Sequence, residues 1–156
     1  MKWVWAASEL LRKLRFQLRF GELSRAPLKL LRLEVRDGSA ECEWLARAND
    51  PWDRDLPVEV RVENQTSQAL RDALTIRQLL YDSLPEVHYA SLKVYRRTAW
   101  EEQELIISAS VSREDKPPPD VASLAMRAKL CGLKFRLQNG GLGSLNRERP
   151  ISNLGN

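Results

Sequence analysis

One histidine, two cysteines and no long apolar run leave this 156-residue chain few routes to chemistry. A Ser-His-Asp or Cys-His arrangement needs its base, and the only candidate is His88, just after Pro85-Glu86-Val87 with no diagnostic neighbour. Cys42 and Cys131 are too few for a disulfide framework and too far apart in sequence for a zinc-binding pair, so no metal is expected. The seven glycines include Asn139-Gly140-Gly141-Leu142-Gly143, which follows a strand and leads into no helix, unlike a phosphate-binding loop. Trp3-Val4-Trp5-Ala6-Ala7 is too short for a signal segment, and Glu9, Arg12 and Lys13 interrupt its extension. No stretch approaches membrane-spanning length, and a reducing, cytoplasmic setting is the default expectation. No catalytic residue and no cofactor is assigned.

Charge is plentiful but unevenly placed. Residues 1–36 carry nine Lys/Arg against three acidic groups, residues 37–126 ten against seventeen, and residues 127–156 six against one. The two basic ends either steer an anionic partner or fold back on the acidic middle.

Apolar periodicity sets out the elements. In residues 1–21, Val4, Ala7, Leu11, Leu14 and Leu18 follow helical spacing, and Gly21 ends the run. Arg12, Arg15 and Arg19 occupy much of the other face, with Phe16 at the margin and Trp3 near the start. Such a basic amphipathic helix packs on its own domain, fills a partner's groove or lies on an anionic membrane. Residues 28–47 read as a hairpin about Asp37-Gly38, pairing Val35 with Ala40, Leu33 with Cys42 and Leu31 with Trp44. Residues 48–57 form a loop in which Trp52 is either an anchor plugging a surface groove or an exposed contact residue.

Over 58–137 the pattern predicts strand, helix, strand, strand, helix, strand. The strand at 58–63 rests on alternating Val58, Val60 and Val62, the first helix runs from about 66 to 84, and Leu133, Phe135 and Leu137 mark the last strand. This β-α-β-β-α-β order resembles that of ferredoxin-like domains and implies an α+β fold with helices on one sheet face. An antiparallel meander with helices on one face is the alternative. Residues 1–139 would form one domain and 140–156 a flexible tail.

The strands expected at the centre carry Glu59, Arg61, Glu63, Glu104, Ile106, Ser108 and Ser110, without the aromatics of an RNA-recognition platform. Alternation places Tyr89, Tyr95 and Ile106 on the open face. The expected function is therefore a non-enzymatic interaction or assembly subunit, docking on another protein through the N-terminal helix, that open face or the Trp52 loop. The alternative is sequence-nonspecific RNA or DNA binding through Arg127, Lys129, Lys134, Arg136, Arg147 and Arg149.

Overall fold

The computed structural model describes residues 2–17, 26–48, 51–115 and 120–145, with side chains from Ser8 to Phe16 in the first span and from Asp53 in the third. The elements are α1 (Lys2–Gln17), β1 (Lys29–Arg36), β2 (Ser39–Leu45), a 3-10 turn (Pro51–Asp55) and α2 (Val58–Ser83). They continue with β3 (Tyr89–Arg97), β4 (Gln103–Ser112), α3 (Leu124–Leu130), β5 (Leu133–Lys134), β6 (Leu137–Gln138) and β7 (Gly141–Leu142). The fold is α+β: three helices, a mixed sheet in the order β1-β2-β3-β4-β5, and a small β6-β7 hairpin.

The Asp37-Gly38 turn has positive φ at both residues, as a two-residue type I′ turn requires. Val35 pairs with Ala40 and Leu33 with Cys42 as expected, but a bulge between Leu30 and Arg32 puts Leu30, not Leu31, opposite Trp44. Glu34 does face Glu41, and Arg32 relieves the repulsion. Its guanidinium pairs with Glu34, with Glu41 at 2.9 Å and with Glu43 at 3.2 Å.

The expected strand at 58–63 is instead the opening of α2, which starts with Arg61 N–H donating to the Pro57 carbonyl at 3.1 Å. Alternating valines suit a strand, but extending an existing helix adds one hydrogen bond per residue fixed. The place beside β3 is already taken by β2, which pairs with it in parallel. Val58 and Val60 are consequently exposed. The order β-α-β-β-α-β does occur, beginning at Ser39 as β2-α2-β3-β4-α3-β5. The ferredoxin-like arrangement is not confirmed, because β2 and β3 are direct neighbours with no strand between them.

One sheet face supplies the core. Ala40, Cys42 and Trp44 from β2, Ala90, Leu92 and Val94 from β3, and Ile107, Ala109 and Val111 from β4 are all buried. Against them α2 sets Ala69, Leu70, Ala73, Ile76 and Leu80, and Leu10 and Leu14 of α1 join the same cluster. The C-terminal end of α2 is held by Arg113, which donates to the carbonyls of Tyr81 at 3.0 Å, Leu84 at 2.8 Å and Val87 at 2.9 Å. Its guanidinium also stacks 4.7 Å from the Tyr81 ring centroid.

The last expected strand breaks after Lys134. Gly132 (φ 95°) turns the chain into β5, and Leu137 pairs instead with Leu142 in β6-β7. A Cβ at Gly132 would stand 3.0 Å from Val111 Cγ1 and 3.3 Å from the Ser110 carbonyl oxygen. Gly132→Ala is therefore expected to lose about 1–3 kcal/mol in urea unfolding, from both backbone strain and crowding. Residues 140–145 are not a free tail. Leu142 and Ser144 are buried, Thr66 Oγ1 donates to the Gly140 carbonyl at 2.8 Å, and Leu145 N–H donates to the Leu105 carbonyl at 2.8 Å. The glycines there make a tight turn over α2, where Gly141 lies against Val62. Residues 146–156 of the expected tail lie outside the described residues.

Candidate functional site

The most polar interior lies where the C-terminal ends of the parallel pair β2 and β3 meet α2 and the β6-β7 hairpin. A cavity of about 120 Å³ is lined there by Arg47, Thr66, Gln68, Asp72, Arg96 and Ile106, among others. Arg47 Nε donates to Asp72 Oδ2 at 2.8 Å and Nη2 to Oδ1 at 3.2 Å, with side-chain exposures of 3% and 4%. Arg47 Nη1 reaches the Ala26 carbonyl at 2.8 Å, and Gln68 Nε2 donates to Asp72 Oδ1 at 2.9 Å. Arg96 is shared between Glu104, at 2.7 Å, and the Leu142 carbonyl, at 2.8 Å. These bonds tie the entry to β1, the end of β2 and the middle of α2 together. Both partners of the central pair are committed to each other, so the arrangement serves as a clamp.

Two thiols lie in the interior. Burial, with Glu43 adding to it, pushes the Cys42 thiol up to about 12, and burial also raises Cys131. A thiol that stays protonated in the fold and ionises near 9.0 when unfolded adds stability that is complete below pH 9. That stability is lost as pH rises towards about 12. The urea midpoint of the wild type is expected to fall more steeply above pH 9 than that of Cys42→Ala. Equal slopes would mean that Cys42 ionises freely in the fold.

The sheet face away from α2 is polar. Neighbouring strands align Arg32, Glu43, Lys93, Ser108 and Lys134 in one row, and Glu34, Glu41, Ser91 and Ser110 in the next. Tyr95 is half-buried and hydrogen-bonded to Glu43; its hydroxyl is raised by desolvation first and by Glu43 second. Tyr89 is exposed at 65%, at the start of β3. Ile106 does not share this face. A bulge pairs Val94 with Ile107 but Tyr95 with Leu105, so Ile106 is skipped and turns inward to 2% exposure. The three residues expected to form one surface are thus separated.

On α1 the expected residues do come together. Arg12, Arg15 and Phe16 line a shallow hollow with Ser8 and Leu11, and Phe16 is 85% exposed. Arg12 is paired with Glu9 at 2.7 Å, which holds that carboxyl below the ordinary range. The backbone of Trp3 lies in α1 and that of Trp52 in the 3-10 turn, while both side chains and all of Arg19 lie outside the described residues.

Of the basic residues expected to bind nucleic acid, the four that are described take different settings. Lys129 sits 5.4 Å over the Phe135 ring, Lys134 projects from the polar sheet face opposite Ser108, and Arg127 has its Nε buried. Arg136 is exposed in the link between β5 and β6. Arg147 and Arg149 lie outside the described residues. His88 is exposed, with its backbone N–H donating to the Gly38 carbonyl at 2.8 Å. Among the described residues no group of three or more His, Cys, Asp or Glu is placed to hold a metal ion. No helix among them is long and apolar enough to cross a membrane.

Sequence reasoning misses Trp100. It is 85% exposed at the tip of the β3-β4 hairpin. The tip is ordered by Thr98, whose N–H donates to the Glu102 carbonyl at 2.7 Å and whose Oγ1 accepts from Trp100 N–H and Glu102 N–H, each at 3.2 Å. An aromatic inside a short turn between two strands is the signal that could have found it. No family model, curated protein or solved structure gives a significant match to this chain.

Proposed function

We propose that this protein is a protein-interaction or assembly subunit without catalytic chemistry of its own, docking through the outer face of α1. The observation that carries the reading is Phe16, fully displayed beside Arg12 and Arg15 while Leu10 and Leu14 anchor the opposite face of the same helix in the core. Aromatic and arginine side chains standing together on a rigid element are the usual centre of a protein interface. Trp100 supplies a second anchor on an ordered tip. The same reading puts the protein in the cytoplasm, in keeping with two free, buried thiols.

Affinity purification of the tagged chain and of Phe16→Ala from native extract tests the reading, with absorbance at 260 nm recorded on both. Recovery of a stoichiometric protein by the wild type, reduced at least about tenfold by Phe16→Ala, is expected for a hot-spot side chain worth about 1.4 kcal/mol or more. Equal recovery removes α1 as the docking element. Co-purified nucleic acid without protein would favour phosphate contacts by the basic ends instead.

A further inference from the structure

We infer that a second copy of this chain is a partner, joined by antiparallel pairing of β1 with its two-fold mate so that the two sheets become one. The inference rests on the interaction reading above and names the partner for the same side of the molecule.

β1 is an eight-residue strand at the edge of the sheet, with β2 on one side and no strand on the other among the described residues. Its apolar residues are less covered than those they face: Leu30, Leu33 and Val35 are half-buried, whereas Trp44, Cys42 and Ala40 opposite them are buried. Partial burial at an edge marks a core that stops one strand short.

The hydrogen-bond phase restricts the register. In a two-residue hairpin the residues flanking the turn, Arg36 and Ser39, exchange hydrogen bonds, and the alternation continues through Glu34/Glu41 and Arg32/Glu43. The N–H and C=O groups of Leu33 and Val35 then point away from β2, at the open edge. A two-fold axis through Leu33 pairs Leu33 with Leu33 of the second copy in the hydrogen-bonded sense. It also sets Arg32 opposite Glu34 twice, once on each side of the axis, which is a favourable cross-strand charge pair. A centre at Glu34 satisfies the same phase but opposes Glu34 with Glu34 and Arg32 with Arg36, and a centre at Val35 runs each strand into the other's Asp37-Gly38 turn. Phase excludes only centres lying between residues; charge and the length of overlap then select Leu33.

The same axis accounts for α1. Perpendicular to the sheet, it keeps both helical layers on one side. α1 lies next to this edge: Leu11, Leu14 and Arg15 line a hollow of about 520 Å³ with Pro27, Leu28 and Leu30. Pairing the strands brings the two α1 helices, with Leu11 and Phe16, towards each other across the seam. Symmetric self-complementary contact is the commonest way a soluble chain associates.

Sedimentation velocity over a dilution series of the full chain tests this, together with Leu33→Pro checked for folding by circular dichroism. The wild type is expected at twice its 17.9 kDa mass at high concentration. Leu33→Pro removes an outward-pointing N–H and part of the half-buried Leu33 side chain without breaking a hydrogen bond to β2, and is expected to stay folded and monomeric. Should that variant unfold, amide exchange on the wild type decides: the Leu33 and Val35 amides are expected to slow with concentration, and Glu34 to be protected throughout. A wild type that stays monomeric, a folded Leu33→Pro that still dimerises, or exchange at Leu33 independent of concentration overturns the inference. A monomer that still loses a heterologous partner on Phe16→Ala overturns self-pairing alone, and one that binds nothing overturns the interaction reading as well.

Discussion

Replacing Asp72 with alanine is expected to cost about 3–5 kcal/mol of stability, because it takes a bidentate carboxylate from the buried Arg47 guanidinium. The pair is bidentate, and both side chains are almost fully removed from water. Gln68 loses its acceptor in the same step. Removing one partner of a buried pair is far worse than removing both, so the double variant Arg47→Met/Asp72→Leu should regain most of the loss. The recovery stays incomplete because the Ala26 carbonyl loses its donor too. Urea unfolding of the wild type, the single variant and the double variant measures all three terms. A single variant within about 1 kcal/mol of the wild type would show the clamp to be solvated, as exposed pairs are.

Trp44→Ala carries a loss of similar size, about 3–5 kcal/mol, as expected for truncating a large core aromatic. Trp44 is among the fully buried side chains, and the pairing places it between Leu30 of β1 and Val94 of β3. Its indole N–H has no hydrogen-bond partner among the described residues, and an unmatched buried donor costs about 1–3 kcal/mol in itself. Trp44→Phe trades volume against relief of that donor and should lose less than about 1.5 kcal/mol. The ratio of the two losses is the informative quantity. A Trp44→Phe loss well above about 1.5 kcal/mol would mean that the indole N–H is satisfied in solution.

Much of this molecule is legible in its sequence. The Asp-Gly turn, the alternation of Ala40, Cys42 and Trp44, and the helical stripe from Ala69 to Leu80 each obey one strong local rule, and the structure has them. The misreadings occur where tertiary context decides. Val58, Val60 and Val62 alternate as strand residues do, but β2 already occupies the adjacent site and the segment is drawn into α2. The bulges at Leu31 and Ile106 each flip the parity of the residues beyond them, and no local pattern announces either one. The same effect disperses part of the candidate site, since parity alone assigns Ile106 to the open face. The glycines at 140–143 suggest freedom where they permit close approach to Val62 and to Gln138. The buried network of Arg47, Gln68 and Asp72 is invisible in the sequence, because isolated polar residues in a loop and a helix give no periodic signal.

The α1 surface is the centre of the functional reading, and photo-crosslinking from position 16 tests it most directly. With Phe16 replaced by p-benzoylphenylalanine in the full chain, irradiation of living cells is expected to give a discrete protein adduct. That adduct should run at twice the chain mass where the partner is a second copy. An irradiated chain that is expressed at the wild-type level yet runs only as the free monomer would contradict docking through α1.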